Sequence, residues 1–127
     1  MRLAAAGISD ELPGLQIILG HWGEMVLFYL ERTAAILSRA LELERSLDEY
    51  ARRNLHVTAS GMWSEPYLRR CLEIVGPDRL LFSTDFPYQY RLGGEPRRFI
   101  DTVDLDAGAR CGLAFANWEQ LTGAASD

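Results

Sequence analysis

The sequence predicts an α/β fold in which parallel strands are flanked by helices. Three observations carry that prediction. Short apolar runs around Ile17, Val57 and Leu81 lack the strict alternation of a half-buried strand, which suits strands covered on both faces. The stretches between them place apolar residues at three- and four-residue spacings, the period of an amphipathic helix. The resulting order is strand, helices, strand, helix, strand, helices, which calls for right-handed crossovers between parallel strands. A three-stranded sheet of this kind is thin, and both of its edges are unpaired.

The first strand is expected over 15–20, with Pro13-Gly14 marking its start. From Met25 to Arg53 the pattern is helical, with Leu27, Leu30, Ala34, Leu37 and Leu41 on one face. Ser46-Leu47-Asp48-Glu49 fits a capping box, so a second helix should begin at Leu47. The second strand is expected over 55–60, ended by Gly61. Ser64 reads as an N-cap, with Glu65 and Pro66 in the first turn and Leu68, Cys71, Leu72 and Val75 as the buried stripe. Gly76-Pro77 stops that helix, and a third strand over 80–83 leads into Thr84-Asp85-Phe86-Pro87-Tyr88. Two further helical stretches, about 95–103 and 107–122, complete the chain.

Composition excludes several classes of function. The 127 residues are 48% hydrophobic and 24% charged, which fits one globular domain spanning 1–127. A closed (β/α)₈ barrel needs about 200 residues or more, so this length cannot hold a complete one. All 13 basic residues are arginine, which removes Schiff-base and P-loop lysine chemistry. The two histidines, His21 and His56, cannot build a three-histidine metal site from one copy. Cys71 and Cys111 form no CxxC pair and are expected to be buried thiols in a reducing compartment. A net charge of −5 argues against a nucleic-acid partner, and the dispersed arginine pairs read as solvated helix faces. No apolar run approaches the roughly 20 residues of a membrane span. Asp10 and Glu11 follow the early Ala run too soon for a signal peptide, so a cytoplasmic location is expected.

In parallel α/β folds, sites form at the C-terminal ends of strands. The polar residues follow that rule. His21 and Glu24 come after the first strand, Thr58, Ser60 and Gly61 end the second, and Thr84 and Asp85 follow the third. An imidazole and a carboxylate at one sheet end suit proton transfer or metal binding, with Glu24 close enough to orient the His21 ring. Each has a plainer reading: His21 as a capping residue, Glu24 at a helix N-terminus, Asp85 bonding its own turn, and Thr58 and Ser60 as ordinary strand residues. Their coincidence at one end of successive strands favours a site containing His21 and Asp85. His56, at a strand start, is expected to be structural.

At these residues the chain resembles a known family. Its segments Leu12-Pro13-Gly14-Leu15-Gln16-Ile17-Ile18-Leu19-Gly20-His21-Trp22-Gly23-Glu24, Arg53-Asn54-Leu55-His56-Val57-Thr58-Ala59-Ser60-Gly61 and Asp78-Arg79-Leu80-Leu81-Phe82-Ser83-Thr84-Asp85-Phe86-Pro87-Tyr88 are similar to three ordered strand motifs of the amidohydrolase-related (amidohydrolase 2) proteins. Ala116-Asn117-Trp118-Glu119-Gln120-Leu121 resembles their closing helix. The resemblance runs from about residue 2 to 123. The branch it most resembles is the metal-dependent nonoxidative decarboxylases, including those acting on aminocarboxymuconate semialdehyde, γ-resorcylate and dihydroxybenzoate.

The resemblance implies strands six to eight of a TIM (β/α)₈ barrel, a partial barrel, with residues 1–9 in the helix before strand six. It implies a divalent metal, Zn²⁺ or Mn²⁺, bound by Asp85 after strand eight. It implies catalysis by His21 and Asp85, with Glu24 supporting the histidine. The family's His-x-His or Glu-x-His motif after strand one, and its metal histidine after strand five, have no counterpart in this chain. The expectation is therefore the C-terminal part of a decarboxylase of an aromatic or unsaturated carboxylate, inactive without the missing half. A metal-dependent lactone or amide hydrolase and a non-catalytic α/β interaction module are the alternatives. A small-molecule carboxylate is the expected substrate. A homo-oligomer or a complementary N-terminal half is the expected protein partner.

Overall fold

The parallel register of three strands organises the molecule. A computed structural model describes residues 6–37, 43–89 and 93–123. Strands β1 (Ile17–Leu19), β2 (Leu55–Thr58) and β3 (Leu80–Leu81) form one sheet in that order. Ile18 pairs with His56, Leu19 with Val57, and Thr58 with Leu81, all in parallel.

Each strand is shorter than its apolar run. Before β1, the Asn54 side-chain amide donates to the carbonyls of Pro13 and Leu15, at 3.2 and 2.8 Å. A side chain thus takes the role of a neighbouring strand there. After β2, Ser60 turns into the left-handed region, with φ 45°, and ends the extended run.

The helices are α1 (Ile8–Glu11), α2 (Met25–Phe28), α3 (Leu30–Leu37), α4 (Leu47–Asn54), α5 (Glu65–Val75), α6 (Glu95–Thr102), α7 (Ala107–Cys111) and α8 (Asn117–Thr122). The capping box forms at α4: the Ser46 hydroxyl accepts from the Glu49 N–H, and the Glu49 carboxylate accepts from the Ser46 N–H, each at 3.2 Å. Leu27 and Leu30 are buried as the helical stripe requires, but the chain breaks at Tyr29 into α2 and α3. Leu41 lies outside the described residues. Ser64 has the extended backbone of an N-cap for α5, yet its side chain makes no capping bond, contrary to expectation. Leu68, Cys71 and Val75 are buried, and Leu72 packs against them half-buried.

The closing helical stretch contains a π-turn, Gly112–Ala116, between α7 and α8. Gly112 leaves room for the Asn117 side chain, whose Oδ1 lies 2.8 Å from where a Cβ would stand. The Asn117 amide donates to the carbonyls of Pro77 and Leu80, both at 2.8 Å, and so ties α8 to the start of β3. The wider turn accommodates that docking. Cys111 is exposed, which corrects the expectation of two buried thiols. It sits on a short helix whose inward position is taken by Leu113 in the following turn.

The hydrophobic core lies on the helix-covered face of the sheet. Val57 and Leu80 point into it and meet Leu27, Leu68, Cys71 and Leu113. Alternation sends Ile18, His56, Thr58 and Leu81 to the opposite face. On that face Ile18 is 44% exposed, whereas His56, Thr58 and Leu81 are buried. A hollow of about 680 Å³ borders it, walled by Leu81, Phe82, Phe115 and Trp118. The runs of β2 and β3 are buried on both faces as expected, and that of β1 is exposed at Ile18. Among the described residues, no helix is long and apolar enough to cross a membrane.

Candidate active site

All three strands end in strained backbone on the same side of the sheet. His21, Trp22 and Glu24 follow β1 with φ of 50°, 56° and 47°; Ser60 follows β2 with φ 45°; Asp85 follows β3 with φ 60°. Each such non-glycine conformation costs about 1–3 kcal/mol and persists only where surrounding contacts impose it. Those contacts are visible around His21. The Trp22 indole, fully buried, donates to the Met62 carbonyl at 2.6 Å, and the Cys71 thiol lies 3.7 Å from the Trp22 carbonyl. Burial pushes the Cys71 thiol up to about 12, so it stays protonated and able to donate.

The turn places the His21 imidazole between two carboxylates. Nε2 lies 3.5 Å from Asp85 Oδ2, and Nδ1 lies 3.8 Å from Glu24 Oε1. At these distances the groups face one another without closed hydrogen bonds. The Asp85 side chain is 22% exposed, His21 36% and Glu24 74%, so the inner carboxylate is the better shielded of the two. The Asp85 turn is closed by its main-chain carbonyl, which accepts from the N–H groups of Tyr88 and Gln89 at 2.8 and 3.1 Å. The bonds that close the turn are thus main-chain bonds, and the carboxylate is directed toward His21. Glu24 stands at the N-cap of α2 and makes no side-chain cap bond.

Beneath them, the buried hydroxyls of Thr58 and Ser60 are 2.7 Å apart. One proton joins the two oxygens and the other is left to donate elsewhere. Sequence reading noted these residues without separating them from ordinary strand residues; the signal was Gly61. Gly61 has φ 77°, its N–H donates to the Ser83 carbonyl at 3.2 Å, and a Cβ there would stand 2.7 Å from that of Gln89. Nothing local in the sequence marks Trp22 or Met62. His56 lies toward the other end of β2, away from this cluster. A groove of about 480 Å³, lined by His21, Glu24, Phe28, Tyr29, Met62 and Tyr67, opens beside the imidazole. Asp85 faces the 680 Å³ hollow.

The donor set does not by itself suit a tightly held metal. Protein sites for catalytic zinc use about three side-chain ligands. Among the described residues, no group of three or more His, Cys, Asp or Glu side chains is arranged to hold one.

Comparison with known proteins places the chain. The amidohydrolase family model matches residues 1–110. The chain belongs to the amidohydrolase family. Its relatives include the γ-resorcylate decarboxylase of a Rhizobium species, 37% identical over 94 residues, covering 70% of this chain and 29% of that enzyme. The decarboxylase orsB of Emericella nidulans is 35% identical over 92 residues, covering 70% and 28%. The amidohydrolase-family chain also superimposes on solved structures. It matches 5-carboxyvanillate decarboxylase from Novosphingobium aromaticivorans, crystallised with manganese and a nitrobenzoic acid ligand, with TM-score 0.86 at 31% identity, covering 96% of this chain and 37% of that one. For 2,6-dihydroxybenzoate decarboxylase from Rhizobium the TM-score is 0.87 at 28% identity, covering 98% and 40%. The chain therefore spans under a third of these curated relatives and about two fifths of the solved barrels, corresponding to their C-terminal portion.

Proposed function

We propose that this chain carries the last three strands of a metal-dependent decarboxylase acting on an aromatic carboxylate. One observation supports it above the others: the His21 imidazole faces the Asp85 carboxylate at 3.5 Å, at the C-terminal ends of parallel strands. In the reaction a proton adds to the ring carbon that bears the carboxylate. The bond to the carboxylate then breaks, its electron pair restores the ring, and CO₂ leaves. Asp85 delivers the proton at that carbon. His21 stabilises the charge that develops and relays the proton, and Glu24 orients the imidazole from the solvent side. Asp85 is also the ligand this chain offers to a divalent cation, Zn²⁺ or Mn²⁺; relatives were crystallised with manganese. The other ligands lie outside this chain, so no metal-dependent step is assigned to it alone.

The test is to join the chain to the N-terminal portion of the Rhizobium γ-resorcylate decarboxylase and to follow 2,6-dihydroxybenzoate loss with Mn²⁺. The chain alone should show no turnover. The joined protein should turn over, and His21→Asn or Asp85→Asn should each lower kcat by about 10²–10⁴-fold. Undiminished turnover in Asp85→Asn would remove the proposal.

A further inference from the structure

We propose that the pocket around His56 and Arg79 binds a small free carboxylate, a monoanionic organic acid of about the size of acetate. The pocket lies at the N-terminal end of the strands, the opposite sheet end from His21 and Asp85. The inference is therefore independent of whether the chain takes part in decarboxylation.

The pocket encloses about 360 Å³ and is lined by Gln16, His56, Asp78, Arg79, Asn117 and Gln120, among others. That is near the lower end of the range for small-molecule sites. Two of its donors are committed elsewhere. The Asn117 amide is held by the carbonyls of Pro77 and Leu80, so Asn117 is a wall. The Arg79 guanidinium donates through Nη1 to Gln16 Oε1 at 2.5 Å. Gln16 is neutral, so it orients the guanidinium without cancelling its charge. Among the described residues, no acceptor meets Arg79 Nε or Nη2, the two donors along one edge of the fork. His56 is 5% exposed, yet its Nδ1 has no hydrogen-bond partner.

Charge selects the occupant. Arginine offers donors only and keeps its charge at every ordinary pH, so it repels a cation and has nothing to accept from a donor. Among the described residues, no carboxylate forms an ion pair with Arg79. A carboxylate meets both unused groups at once: its oxygens accept from the guanidinium edge and from an imidazole N–H. Asp78 borders the same pocket and is exposed. Its charge penalises a dianion more than a monoanion, which favours a carboxylate over a phosphate. Arg79 and Asp78 are the charged side chains that share the pocket with His56; Gln16, Asn117 and Gln120 are neutral amides.

The test is NMR of the 127-residue chain, following the imidazole C–H signals while sodium acetate is added at constant ionic strength. The chain has two histidines, and His56→Gln assigns the pair. Acetate should shift the His56 signals saturably and leave those of His21, which faces two carboxylates, in place. A bound carboxylate favours the imidazolium, so acetate should also move the midpoint of the His56 titration to higher pH. Arg79→Gln should weaken binding at least about tenfold, the loss of a charge-assisted hydrogen bond. Gln120→Glu changes an exposed side chain and sets a fixed negative charge at the pocket; it should abolish the acetate shift with the far-ultraviolet circular dichroism unchanged. Arg97→Glu, on the exposed side of α6, should leave the shift intact. Any of four outcomes would overturn the proposal: no saturable shift at His56, an equal shift at His21, binding that survives Gln120→Glu undiminished, or tighter binding of inorganic phosphate or chloride than of acetate.

Discussion

Gly61 shows how single residues hold the site. Its positive φ and the close approach of Gln89 exclude a side chain, and its N–H links the end of β2 to that of β3. Gly61→Ala should destabilise the chain by about 1–3 kcal/mol in urea unfolding, through left-handed strain and crowding together. The change should also separate His21 from Asp85. His21 was legible as a residue after a strand, and so was Asp85. Their left-handed conformations were not, because asparagine- or glycine-like backbone geometry leaves no mark when the residue itself is histidine or aspartate. Trp22 was equally silent: an aromatic residue beside a strand gives no sign of donating to Met62. Trp22→Phe keeps an aromatic ring, though a smaller one, and leaves the Met62 carbonyl without its donor. It should cost about 1–3 kcal/mol and broaden the His21 NMR resonances as the turn loosens.

At the scale of elements, local chemistry read well at one helix start and failed at another, since Ser64 makes no capping bond at α5. The Ser46–Glu49 box formed as its four residues dictate, and its hydrogen bonds hold the Glu49 carboxyl below its usual value. Ser46→Ala should lower stability by about 1 kcal/mol, measured as a shift in the urea midpoint. The break between α2 and α3 at Tyr29 interrupts a continuous leucine stripe, so periodicity alone joined what the fold separates. The π-turn before α8 was hidden for a related reason. It accompanies the reach of the Asn117 amide to the carbonyls of Pro77 and Leu80, a contact with residues about 40 positions earlier in the chain. Cys111 followed the same logic, since a helix of five residues has too little periodicity to say which way one thiol points.

For the whole molecule, His56 links fold to pH. Burial, then the neighbouring Arg79 charge, lower its pKa below the ordinary histidine value. The unfolded chain therefore binds a proton that the folded one refuses. Stability is fully present above about pH 6.5 and is lost as pH falls from there toward the folded pKa. The urea midpoint should drop between pH 7.5 and 5.5, and His56→Gln should reduce that drop; an unchanged difference would show that His56 does not carry it. Alone, the chain should also bind Mn²⁺ weakly by titration calorimetry, because Asp85 has too few companions among the described residues.

Element order, the parallel sheet and the gathering of polar residues after each strand were determined by the sequence itself. Periodicity, capping and turn chemistry act over a few residues and are written there. That Ile18 is bare while its neighbours on the sheet are buried, and that His21 meets Asp85, were decided only by tertiary structure. Ile18 and Leu19 look alike in sequence, and only the pairing with β2 sends one outward and the other toward the helices. His21 and Asp85 belong to the two outer strands of the sheet, so their meeting depends on β2 lying between them in register. Strand register is a long-range property, set by how every apolar face packs at once.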